Sequence, residues 1–188
     1  FLGPFFGTDL PLTMTQLLWV NIVMDTLAAF AFSGEAALRR YMFEKPIPKD
    51  EKLITNDMWS SILVNGIFMA ILSLFFLTSD FVASLFVCDT NRCSDPEINI
   101  VLLTAFFGFF VFINNFNKFN ARTDGLDLFE HITENRGFIF VVLIIFFLQT
   151  AFTYLGGEVL RTVGLSLKEW LYVLVFSLSI IPLDLLRK

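Results

Sequence analysis

Five apolar stretches order the chain, at about 11–32, 58–79, 98–117, 137–155 and 168–186, and polar or charged segments separate them. Each has the length of about 20 residues that a helix needs to cross a hydrocarbon core of roughly 30 Å. The pattern predicts an all-α polytopic membrane protein: a bundle of five transmembrane helices making a single membrane domain over residues 1–188.

Local signals refine these spans. Gly3, Pro4 and Gly7 make residues 1–10 a loop that enters the first span abruptly, as in a chain cut from something longer. Gly34 ends that span, and Pro46 and Pro48 keep the centre of the Glu35–Asp57 connection from being helical. Asn56-Asp57 can cap the second span, where Trp59 is placed as an interface anchor and Asn65-Gly66 allows close helix packing and a side-chain hydrogen bond. The third span is rich in phenylalanine; Phe106, Phe107, Phe109, Phe110 and Phe112 are expected to face lipid and to pack. Gln149 is the one strongly polar residue of the fourth span, and Gly156-Gly157 turns the chain toward the fifth.

Composition sharpens the class. Of 188 residues, 56% are hydrophobic and 25 are Phe, too much apolar surface for a soluble domain of this size. No glycine-rich phosphate loop and no basic stripe for nucleic acid are present. The single His, His131, falls in a polar loop without partners for a metal cluster or a nucleophile pair. The N-terminus has neither the charged region nor the small-residue cleavage site of a signal peptide.

Charge matters by location. The connection Glu35–Asp57, the segment Lys118–Arg136 and the C-terminus carry ten of the 13 Lys and Arg, and the opposite-side segments carry Arg92, Arg161 and Lys168. The positive-inside rule therefore predicts an exoplasmic N-terminus and a cytoplasmic C-terminus. Cys88 and Cys93 then share an exoplasmic loop, where a disulfide or two isolated thiols both fit the spacing.

One pair of residues breaks the apolar pattern. In Leu17-Leu18-Trp19-Val20-Asn21-Ile22-Val23-Met24-Asp25-Thr26, a carboxylate lies near the middle of the first span. Placing it there costs roughly 2.5–3.5 kcal/mol on insertion scales. Asn21 is four residues earlier, so on a helix both side chains share a face. An amide oxygen and a carboxylate offered to one point suit a hard cation such as Ca²⁺, which takes about six to eight oxygens, so further ligands must come from elsewhere. The other reading of the pair is a polar glue between helices. Asn21 and Asp25 are also natural places for the helix to unwind, a departure tolerated only where protein encloses the backbone.

The stretch LWVNIVMDT resembles the sixth transmembrane helix of P-type Ca²⁺-ATPases of the plasma-membrane subtype. The resemblance continues through AFSGE (Ala31–Glu35), RRYMFEKPIPKDEKLI (Arg39–Ile54) and NKFNAR (Asn117–Arg122), and covers essentially the whole chain in order. It implies helices six to ten of such a pump, with Asn21 and Asp25 as metal ligands and the remaining ligands on a preceding unwound helix. Met24 stands where the two-site sarcoplasmic-reticulum type has a Thr ligand, and a thioether is unsuited to Ca²⁺. Asn114, counted back from Asn117 and Asn120, stands where that type has a Glu. It is a minor or outer-shell metal candidate, with a helix-to-helix hydrogen bond as its other reading. Both departures imply one complete Ca²⁺ site.

The resemblance implies a multi-pass protein of the plasma membrane that exports Ca²⁺ from the cytosol. Its partners are the lipid bilayer and the N-terminal helices and cytoplasmic domains of the same pump, with no nucleic acid. ATP and Mg²⁺ act on those domains and are not bound by this region. With no DKTGT phosphorylation motif in the 188 residues, the fragment alone is expected to be inactive, although the parent is an ATP-driven translocase with proton countertransport. Mn²⁺ shares the oxygen ligands and remains a chemical competitor. The alternative is a stand-alone, non-catalytic five-span membrane protein that binds a cation or a partner subunit.

Overall fold

A computed structural model describes residues 11–34, 42–43, 55–88, 92, 98–123, 125 and 135–188. Among them the elements are α1 (Met14–Trp19), a π-helical turn (Val20–Met24), α2 (Asp25–Ser33), α3 (Asn56–Thr78), α4 (Asp80–Leu85), α5 (Ile100–Arg122), α6 (Arg136–Leu155), α7 (Gly157–Leu160), α8 (Leu167–Leu178) and α9 (Ile180–Arg187). They build five helical stretches long and apolar enough to cross a membrane: Met14–Ser33, Met58–Thr78, Ile100–Arg122, Arg136–Leu155 and Leu167–Arg187. The chain is an all-α, multi-pass membrane bundle. His131, Cys93 and the loop cations Arg39, Arg40, Lys45, Lys49 and Lys52 lie outside the described residues.

The helix α5 is the hub, packing on α8, α9, α6 and α3. In a membrane the apolar solvent gives helices no hydrophobic reason to associate, so close packing and polar contacts must hold them. Aromatic rings supply much of the packing. Phe76 of α3 stacks on Phe109 of α5 at 4.8 Å and meets Phe176 of α8 edge-on at 5.5 Å. Phe112 stacks on Trp170 at 5.4 Å. Phe106, Phe107, Phe109 and Phe112 are buried and Phe110 is half-buried, so four of the five pack inside the bundle and only Phe110 keeps an exposed side. Apolar side chains such as Ile62, Ile67 and Ile71 of α3 are exposed on the outside of the bundle.

Polar contacts lock the end of the bundle where α5 and α9 finish. Asp184 is fully buried, accepts from Asn65 at 2.9 Å and pairs with Arg187 at 2.7 Å and Lys188 at 3.4 Å. Lys188 also donates to the backbone oxygens of Asn120 and Thr123, capping α5. Asn120 donates to Asn117 at 3.4 Å and to the Ile180 oxygen at 3.1 Å, so the NxxN pattern ties α5 to α9.

Two local expectations need correction. Asn65 makes its side-chain bond, but among the described residues nothing lies within 4 Å of a Cβ built on Gly66, so no described helix approaches closely there. The cap of α3 is Thr55, which accepts from the Met58 N–H at 3.3 Å, one residue before Asn56-Asp57. The last span holds as one crossing over Leu167–Arg187, with a turn residue at Ser179 between α8 and α9, where Pro182 has no N–H to return to the preceding turn; the Ser179 hydroxyl donates to the Phe176 oxygen at 2.6 Å. The turn at Gly156-Gly157 forms as the sequence suggests, with positive φ at Gly157 (44°) and Arg161 (50°). Cys88 is disulfide-bonded.

Candidate ion site

The first span is pinned at both ends and irregular between. At its start, Thr13 and Gln16 form a capping box, and the Gln16 amide donates to the Leu160 oxygen at 2.7 Å. One turn on, the Trp19 indole N–H donates to Gln149 at 3.3 Å and its ring meets Phe152 edge-on at 4.5 Å. At the far end, Asn135 donates to the Ala31 oxygen at 3.2 Å, and Phe32 packs on Phe138 at 6.0 Å.

Between these anchors the helix widens rather than unwinds. Val20–Met24 form a π turn, and the Asp25 N–H bonds the Val20 oxygen five residues back. Such turns insert one residue into the α register and recur at functional sites. The Thr26 hydroxyl donates to the Ile22 oxygen beside it. The sequence marks this place as irregular through Asn21 and Asp25, but a π turn has no marker of its own.

Asn21 lies in the turn and Asp25 directly follows it; both are exposed on the bundle surface, with Leu18, Ile22 and Phe30 exposed on the same span. Met24 is buried against the core, 4% exposed, on the opposite side. A carboxylate and an amide therefore face outward at mid-span, where lipid alone could not satisfy them. The cleft beside this turn, about 460 Å³ and lined by Leu18, Trp19, Ile22, Phe152, Leu155 and Leu160 among others, is nearly all apolar and carries no charged side chain. Among the described residues no three His, Cys, Asp or Glu side chains converge.

The structure does not bring Asn114 to this pair by any hydrogen bond among the described residues. Its amide N–H donates to the Phe110 oxygen of its own helix at 2.7 Å and the residue is half-buried. Sequence reasoning missed Lys118. It was expected at the head of a polar loop, yet α5 continues to Arg122 and leaves Lys118 only 7% exposed. The ammonium donates to Asn115 at 3.3 Å, and Asn115 donates to the Val142 oxygen of α6 at 3.3 Å. The three-residue spacing of Asn115 and Lys118 was the available signal.

Comparison with known proteins matches the architecture. Calcium-transporting ATPase 9, plasma membrane-type, of Arabidopsis thaliana is 35% identical over 182 residues, covering 96% of this chain and 16% of that protein. Calcium-transporting ATPase 8, plasma membrane-type, of the same plant is 33% identical over 181 residues, again 96% and 16%. Calcium-transporting ATPase PAT1 of Dictyostelium discoideum is 34% identical over 183 residues, covering 95% and 16%. The chain thus spans about one sixth of the length of these relatives. The family described as "Cation transporting ATPase, C-terminus" matches residues 9–188, and the chain belongs to it.

Proposed function

We propose that this chain is the C-terminal membrane region of an ATP-driven Ca²⁺ pump, resident in the plasma membrane, and that Asn21 and Asp25 ligate the transported ion. The observation that carries the reading is the outward-facing amide and carboxylate at the π turn, in mid-span. A polar pair in that position needs a covering protein element, and a cation shared with that element would satisfy both. The names of the relatives support calcium as the ion.

In this reading Asp25 supplies the charge that offsets dehydration of a divalent cation, and Asn21 supplies a neutral oxygen. The remaining oxygens come from other helices of the same pump, and Asn114 holds a minor or outer-shell place. The anchors on either side, Trp19 to Gln149 and Ala31 to Asn135, fix the turn against α6 so that its outer face keeps one orientation. ATP and Mg²⁺ are handled by cytoplasmic domains of the pump, with the N-terminus of this region exoplasmic and its C-terminus cytoplasmic. Asn21→Ala in the intact pump tests the reading: ATP-driven ⁴⁵Ca uptake into inside-out vesicles should nearly vanish, and native uptake would remove Asn21 from the site.

A further inference from the structure

Lys118 is a buried ammonium with no ion pair among the described residues. A single hydrogen bond to a neutral amide does not compensate a desolvated charge, so a basic residue kept in such a place implies an anion within electrostatic reach. Three helices converge beside it. Phe138 of α6 lies between Phe32 of α2, at 6.0 Å, and Phe119 of α5, at 5.1 Å, which places Phe32 and Phe119 at one membrane level. The first and third spans run the same way across the bilayer. From that level Asp25 is about 10 Å deeper along α2, and Asn115 about 6 Å deeper along α5, at the usual helical rise. The Lys118 side chain runs back along α5 to Asn115. Its ammonium therefore sits within about one helical turn of the depth of Asp25.

We propose that Lys118 is a resident counter-ion of the transport site, whose ammonium balances Asp25 when the transported cation has left and opposes that cation when it binds. This rests on the reading of Asp25 as a ligand. The consequence is an affinity set lower than the carboxylate alone would give.

Two substitutions in the intact pump separate charge from structure. Lys118→Gln keeps a donor for Asn115 and loses the charge; Lys118→Arg keeps the charge. Half-maximal Ca²⁺ for phosphorylation by ATP should fall about tenfold in Lys118→Gln, since a nearby unit charge opposing a divalent ion is removed, and Lys118→Arg should not show this shift. Unchanged affinity in Lys118→Gln, or the same shift in both variants, would overturn the proposal. So would loss in Lys118→Gln of phosphorylation by both ATP and inorganic phosphate, which would mark Lys118 as a folding residue. Failure of the ligand reading is a separate result, seen as Ca²⁺-activated phosphorylation surviving in Asp25→Asn whatever Lys118 does.

Discussion

Trp19, two residues before Asn21, donates its indole N–H to the side-chain oxygen of Gln149 on α6 at 3.3 Å. Gln149 is fully buried and its amide nitrogen finds no partner among the described residues. The bond is therefore specific in direction and modest in strength. Trp19→Phe keeps the ring against Phe152 but leaves Gln149 wholly unpaired. It should cost about 0.6–1 kcal/mol, the scale of single polar contacts in membranes. Adding Gln149→Leu removes the orphaned amide and should restore part of that loss. Thermal unfolding of the purified pump in detergent checks the order, and a double variant less stable than Trp19→Phe would contradict it.

Asp184 predicts a larger effect. Asp184→Ala leaves Arg187 and Lys188 without their shared carboxylate and Asn65 without its acceptor, deep in the bundle. Breaking a buried pair by removing one partner costs about 3–5 kcal/mol. The variant should fail to accumulate as a folded pump, while Asp184→Asn, which keeps an acceptor for Asn65, should retain more. Detergent-resistant monomer on size exclusion distinguishes the two.

Two glycines should respond in opposite directions. A Cβ at Gly156 would lie 2.5 Å from the Phe152 oxygen and 2.7 Å from Leu160, so Gly156→Ala forces a backbone shift. That shift should cost about 1–3 kcal/mol, a typical overpacking penalty, and should disturb Phe152 where it supports Trp19. Gly66→Ala meets nothing and should gain up to about 1 kcal/mol of helix propensity. Melting temperatures of the two variants should lie on opposite sides of the native value.

The five spans were legible because hydrocarbon length leaves a direct mark on sequence, and Asp25 was legible because a mid-span carboxylate is costly. Other features follow from packing that a linear pattern does not encode. The π turn at Val20–Met24 adds one residue to a helical register without a Pro or Gly to announce it. Phenylalanine is equally at home against lipid or protein, so nothing in the chain said that Phe107 and Phe109 would point inward. Lys118 reads as a loop cation when its span is ended at Asn117; the buried bond of Asn120 to the Ile180 oxygen of α9 holds the helix beyond that point. The turn residue at Ser179 was signalled by Pro182 three residues later, at a position where hydropathy alone sees one continuous span.

The site should hold one ion. Met24 points into the core, Asn114 bonds its own helix, and Asp25 is the one carboxylate of the first span. A second divalent cation nearby would meet the repulsion of the first in a low-dielectric space, with no further carboxylate here to offset it. Equilibrium ⁴⁵Ca binding to the intact pump should approach one ion per phosphoenzyme with a Hill coefficient of about one, and Asn114→Ala should shift affinity modestly. A value near two with clear cooperativity would contradict a single site.

The most direct test of Asp25 as an ion ligand is phosphorylation of Asp25→Asn in the intact pump, by ATP and by inorganic phosphate in parallel. The amide keeps the size of the carboxylate and loses the charge that offsets dehydration of the cation. Ca²⁺-activated phosphorylation from ATP should be abolished, while phosphorylation by inorganic phosphate, which needs no bound Ca²⁺, should persist and show that the protein is folded. Native Ca²⁺-activated phosphoenzyme formation in Asp25→Asn would contradict the account.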